Sequence, residues 1–207
     1  TVAPNGVDTV SRSTESLRIN LKTDTNSSTT EYAILETTTN KYVNFSNNTL
    51  SSSAVWGTRV DFGSFEGVLV TGLNAGTQYV FKVKARNIQN VETTYSSTTA
   101  IATKLYTPTV SNASNSSLSS IRWNFADINT NESGFRIYDE NGTQILQCAQ
   151  NNITNCTESS LSANTAYTRY VRAYNAVSES DSSSVMRGAT LAQQTNIEGL
   201  TNTGSGN

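Results

Sequence analysis

No histidine occurs among the 207 residues. That excludes Ser–His–Asp triads, histidine acid–base chemistry and metal–histidine sites. Charge is scarce as well: Lys, Arg, Asp and Glu together make 14%, against roughly 25% in an average soluble domain. A net charge of −2 offers no electrostatic footprint for nucleic acid or an anionic membrane. No apolar run approaches the ~18 residues a membrane-spanning helix needs. No Gly-rich phosphate loop is present, since Gly204-Ser-Gly-Asn207 is only a polar end. The acidic residues are scattered among turns and solvent faces, with no apolar setting to raise a pKa. The expectation is a chain without a catalytic centre, cofactor or metal.

Proline is confined to Pro4 and Pro108, and cysteine to Cys148 and Cys156. The two cysteines lack metal-ligand spacing. They are either two reduced, buried thiols or a disulfide, and the disulfide is favoured. The polar segment between them suits a hairpin-like connection. A disulfide implies an oxidising compartment, and closing a loop of ~9 residues removes roughly 2.5 kcal/mol of unfolded-state entropy. The chain opens on Thr1 with no apolar h-region, which reads as a removed signal peptide or a cut within a longer protein.

What is present is polar and uncharged. Ser, Thr and Asn dominate the tracts at 23–30, 47–53 and 112–120. Between such tracts, Val, Ile, Leu, Phe and Tyr recur in short runs, which argues against disorder. Two sets of runs match. Ser16-Leu-Arg-Ile-Asn-Leu21 corresponds to Ser120-Ile-Arg-Trp-Asn-Phe125, and Glu31-Tyr-Ala-Ile-Leu35 to Gly134-Phe-Arg-Ile-Tyr138. Leu73-Asn-Ala-Gly-Thr-Gln-Tyr79 corresponds to Leu161-Ser-Ala-Asn-Thr-Ala-Tyr167, and both continue as x-x-x-Val-x-Ala-x-Asn. The same order in both halves marks a duplicated unit. Leu17, Ile19 and Leu21 point one way and Arg18 and Asn20 the other, a period of two that predicts strands with one buried face. Short strands between polar turns predict an all-β sandwich or barrel.

The Leu-x-Ala-[Gly/Asn]-Thr-x-Tyr-x-x-x-Val-x-Ala-x-Asn stretch resembles the E–F corner and F strand of fibronectin type III domains. The resemblance covers about 190 residues. It implies two tandem Greek-key sandwiches, with Tyr79 and Tyr167 as the tyrosine corners. Trp123 matches the family's buried B-strand tryptophan, and Ile19 stands in its place in the first repeat. One departure is Arg169, the counterpart of Phe81, which would sit awkwardly on a buried face. The expected domains are 1–105 and 106–192, joined by a short link that limits swing, with a polar tail at 193–207. The first unit carries an insertion around 41–66. There Trp56, Val60, Phe62 and Phe65 form an apolar cluster: an extra strand covering the core edge, or a self-association patch.

Three further features of the sequence bear on binding. Asp127-Ile-Asn129-Thr-Asn131-Glu132 alternates oxygen ligands as a calcium loop does, but its sixth position is Glu132 and its twelfth Tyr138; Asx-turns are the favoured reading. Sequons stand at Asn26, Asn44, Asn47, Asn112, Asn115, Asn131, Asn141, Asn152 and Asn155. About seven would arise by chance at this content of Asn, Ser and Thr, so their number decides nothing. In the tail, Ile197 and Leu200 are the large apolar residues, suited to strand addition on an open sheet edge of a neighbouring copy.

The expected function is that of a secreted, non-catalytic structural protein, the subunit of a self-assembling surface filament or layer. The alternative is an adhesion or spacer module of a larger cell-surface protein or polysaccharide-degrading enzyme. The expected partners are the chain itself or other surface proteins. A glycan would need exposed aromatics such as Tyr42 and Trp56.

Overall fold

A computed structural model describes residues 1–22, 24–114 and 116–194. The first half runs β1 (Val7–Arg12), β2 (Ser16–Leu21), β3 (Glu31–Glu36), β4 (Lys41–Asn44), β5 (Thr49–Ser51), β6 (Gly57–Thr58), β7 (Val68–Thr71), β8 (Gln78–Arg86) and β9 (Thr99–Ala102). The second runs β10 (Thr109–Val110), β11 (Ser120–Ala126), β12 (Gly134–Tyr138), β13 (Gln144–Cys148), β14 (Asn155–Ser159), β15 (Ala166–Tyr174) and β16 (Met186–Ala189). In the first sandwich, the sheet β1-β2-β7 faces the sheet β5-β4-β3-β8-β9, with β6 also pairing β3. In the second, β10-β11-β14 faces β13-β12-β15-β16. All strand pairings are antiparallel.

Alternation decides which faces meet. Leu17, Ile19 and Leu21 of β2 pack with Val68 and Val70 of β7 onto Tyr32, Ile34, Phe81 and Val83 of the opposite sheet. Leu17 and Ile19 are fully buried, and each such side chain contributes about 1.5–3 kcal/mol. Ile121, Trp123 and Phe125 repeat the stripe against Phe135, Ile137, Val171 and Ala173.

β3 departs from one-sided burial. Ala33 and Leu35, on the outward phase, are buried along with Tyr32, Ile34 and Glu36 on the inward one. The outer face is roofed by aromatics and cations: Lys84 lies over Trp56 and Tyr95, Arg86 over Trp56, and Tyr42 bonds Tyr95. Glu36 is enclosed because its carboxylate caps the following turn, accepting from Thr38 N, Thr39 N, Thr39 Oγ1 and Val80 N. Burial alone would raise its pKa, but the bonds from Thr39 and Thr38 outweigh it and the carboxyl is lowered.

Candidate functional site

The joint between the two sandwiches brings together polar side chains from separate segments. Its first half is the corner after β7. Tyr79 Oη accepts Asn74 N at 2.8 Å, while Thr103 Oγ1 donates to Asn74 O at 2.6 Å and accepts Thr77 N at 3.0 Å. Gly76 has φ +57° and lies against Leu105; a Cβ there would come within 2.5 Å of Leu105 Cδ2. Leu105 belongs to the connecting link, yet it is fully buried in the second core.

The second half is the loop between β11 and β12 together with the turn after β15. Asn131 Nδ2 donates to Ala75 O at 3.0 Å and Asn175 Nδ2 to Gly76 O at 2.8 Å. Ser178 Oγ donates to Thr103 O at 2.6 Å, and Lys104 pairs with Asp181. Asn129 clasps the link itself, accepting Tyr106 N and donating to Tyr106 O, both at 2.8 Å. The Tyr106 hydroxyl donates to Glu15. A polar cavity of about 370 Å³ opens beside these contacts, lined among others by Glu15, Asn74, Tyr106 and Asn131.

The Asp127–Glu132 segment therefore has local and junction partners. Asp127 Oδ1 accepts from Asn129 Nδ2, and Glu132 Oε1 accepts Asn152 N. Burial, with a smaller contribution from the Glu132 charge, raises the Asp127 pKa. Among the described residues no group of three or more acidic or thiol ligands could hold a metal ion.

Arg169 stands on the inward stripe of β15, where a lone charge would be untenable. The expected awkwardness is corrected by a partner on the preceding strand, 11 residues back in the chain and in the facing sheet. Glu158 of β14 receives Arg169 Nη2 at 2.6 Å and Nε at 3.0 Å, and Trp123 Nε1 donates to the same carboxylate at 2.8 Å. The register places Leu17 opposite Val70 in the first sandwich and Ile121 opposite Glu158 in the second. Ile19, Val70 and Phe81 of the first core are thus replaced by Trp123, Glu158 and Arg169.

The outer face of β12 and β15 carries a second network. Arg172 lies over Tyr138 and Arg136 over Tyr174. Glu179 accepts from Tyr138 Oη at 2.7 Å, Arg136 Nη1 at 3.1 Å and Arg172 Nη1 at 3.2 Å. Burial pulls the Glu179 pKa upward, but these three donors outweigh it and the carboxyl lies below its ordinary value. A carboxyl lowered in the folded state stabilises when ionised. Its contribution is complete above the ordinary value of 4.5 and is lost as pH falls through the depressed one. Acid titration followed by circular dichroism should show this loss, and Glu179→Gln should remove that part of the slope; an unchanged slope would contradict it.

Cys148 and Cys156 are joined. The hairpin-like connection expected between them is not formed. β13 and β14 lie in different sheets, so the bridge ties the two open edges across the sandwich. Tyr167 Oη accepts Ser162 N at 2.9 Å, the counterpart of Tyr79 and Asn74.

The apolar cluster of the insertion is divided. Phe62 is 1% exposed and packs edge-on against Phe45, so it belongs to the core and not to a contact patch. Successive tight turns, closed by Phe62 N to Thr58 O and Ser64 N to Arg59 O, turn it inward. Val60 and Phe65 remain exposed, and Trp56 is half-buried with Arg86 over its ring. Of the sequons, Asn47, Asn112, Asn141 and Asn152 are exposed, and Asn44 and Asn155 half-buried. Asn131 and Asn26 already use the amide nitrogen that would carry a sugar, on Ala75 O and Val2 O. Asn115, Ile197 and Leu200 lie outside the described residues. The joint was missed in sequence because Asn131 and Asn175 look like any other turn asparagines. The signal that could have marked it is the apolar Leu105 inside an otherwise polar link.

Residues 2–101 match the fibronectin type III domain family. No curated protein matches the chain. A two fibronectin type-III domain segment from chicken tenascin aligns at 12% identity and a TM-score of 0.50, covering 89% of this chain and 97% of that one. The FN1–FN3 domains of chicken CNTN1 align at 19% identity and a TM-score of 0.41, covering 92% and 65%. The central fibronectin-III array of RIM-binding protein aligns at 14% and 0.35, covering 93% and 71%. The tenascin likeness concerns fold, two sandwiches in tandem. Residues 2–101 are a fibronectin type III domain, and the whole chain is a tandem pair of sandwiches of that fold.

Proposed function

We propose that this chain is a non-catalytic extracellular rod, two modules held at a fixed angle to space or align adhesive surfaces. The observation that carries it is the joint. A flexible tether would leave the link solvated, whereas here Leu105 is buried, Asn129 clasps Tyr106, and Asn131, Asn175 and Ser178 bond the first module directly. Modules of this family typically serve extracellular and adhesive proteins without catalysing reactions. The disulfide suits an oxidising compartment. Among the described residues no helix is long and apolar enough to cross a membrane. Module boundaries at 1–105 and 106–192 place the break within the clasped link.

Spin labels at Ser52 and Glu140, both exposed, test the fixed angle by double electron–electron resonance. One narrow distance distribution is expected, broadening in Asn131→Ala/Asn175→Ala. A broad distribution in the unaltered protein would sink the rod.

A further inference from the structure

The groups that build the joint recur at the two outer ends of the rod. At the start of the first sandwich, Asn26 accepts Val2 N at 2.7 Å and donates to Val2 O at 3.0 Å, as Asn129 does with Tyr106. Pro4 follows Val2 as Pro108 follows Tyr106. Asn87 Oδ1 accepts Gln89 N and Val91 N, folding the turn after β8 as Asn175 Oδ1 folds the turn after β15. In the joint, Asn175 Nδ2 reaches Gly76 O; at this outer end, Asn87 Nδ2 has no hydrogen-bond partner among the described residues.

The far end of the second sandwich repeats the other half. Thr165 N bonds Thr190 Oγ1 at 3.0 Å, Thr165 Oγ1 bonds Ala163 O, and Asn164 N bonds Leu191 O. These copy Thr77 with Thr103, Thr77 with Ala75, and Gly76 with Lys104. The corner carbonyls that Asn131 and Asn175 grip in the joint thus have counterparts presented outward.

The two outer ends differ from the joint in a matched way. By these hydrogen bonds Leu191 takes the place of Lys104, whose ammonium pairs with Asp181 inside the joint. Leu191 is 55% exposed. Across from it, on the turn after β8, Ile88 and Val91 are 82% and 62% exposed. Lys104 of the joint is thus replaced by Leu191, and Asp181, by the matching bonds of Thr93 N and Ser180 N, by uncharged Thr94, at the end that also carries the exposed Ile88 and Val91. Beside Ile88 and Asn87, a cavity of about 430 Å³ lies open between the loops. Gly76 is replaced by Asn164, and the Leu105 that would crowd a side chain there is replaced by the shorter, exposed Ala192.

We infer that the N-terminal end of the first sandwich docks the C-terminal end of the second sandwich of another copy, in the geometry of the internal joint. Asn87 takes the carbonyl beside Asn164, and Leu191 packs on Ile88 and Val91. The contact is head-to-tail, so each copy keeps one end of each kind and rods add in line.

Sedimentation velocity over a range of concentration tests this. The weight-average mass of the unaltered chain should rise with concentration. Ile88→Asp/Val91→Asp at one end, or Leu191→Asp at the other, should weaken self-association roughly tenfold or more while leaving the thermal midpoint unchanged. An equimolar mixture of the two variants should pair and stop at dimers, because each retains one intact end. A monomeric unaltered protein, association indifferent to either variant, or a mixture that fails to pair would overturn the inference. A monomer that still gives a narrow spin-label distance would leave the rod standing without the docking.

Discussion

Arg169→Phe is expected to destabilise the second sandwich by about 3–5 kcal/mol, because it strands the Glu158 carboxylate in the core. Glu158 is 4% exposed and has Arg169 and Trp123 as its donors. Removing the guanidinium leaves only an indole N–H to hold a buried charge. The first sandwich supplies the compensating design. There, Val70 and Phe81 stand at the places of Glu158 and Arg169, and Ile19 at that of Trp123. Glu158→Val/Arg169→Phe combined with Trp123→Ile should therefore recover most of the loss, since apolar groups of similar size replace buried pairs at little cost. Urea unfolding with amide exchange resolved over the second sandwich measures both. A single substitution costing under about 1 kcal/mol would mean that water reaches the pair and that the burial argument is wrong.

Leu105→Ala should cost the second sandwich about 2–5 kcal/mol. The side chain is fully buried, although its backbone lies between the modules. The cavity it leaves adjoins Gly76, so both sides of the joint should loosen. Exchange should accelerate in β11, β12 and the corner at Gly76, while β2 and β3 keep their protection. Faster exchange across the first sandwich as a whole would show that the modules unfold as one unit, contrary to two separate cores.

The fold was legible because it repeats. Leu17-Arg-Ile-Asn-Leu21 and Ile121-Arg-Trp-Asn-Phe125 show period-two alternation without ambiguity, and only one face of each can enter a core. The corner motif around Tyr79 and Tyr167 was equally plain, because it is local: a hydroxyl bonding a backbone N–H five residues away. The partners of Arg169 and Glu36 were not. Arg169 meets Glu158 through pairing across two sheets, and Glu36 is enclosed by a turn and by β8. Nothing in strand alternation encodes which inward polar residue finds a partner. Phe62 was left between two readings, core edge or contact patch, for a related reason: its direction depends on the hydrogen-bonded turns through 58–67, not on a strand period.

By itself the sequence determined the class, the duplication and the absence of histidine chemistry, because composition and local period do not depend on long-range contacts. Tertiary structure decided the rest. It placed Cys148 and Cys156 on opposite sheets, set Leu105 of the link into the second core, and turned Asn131 and Asn175 toward Ala75 and Gly76. The two cysteines are 8 residues apart in sequence yet on different sheets, whereas the Asn131 and Asn175 contacts span 56 and 99 residues. Such contacts form only after both sandwiches have closed and brought their loops to one end.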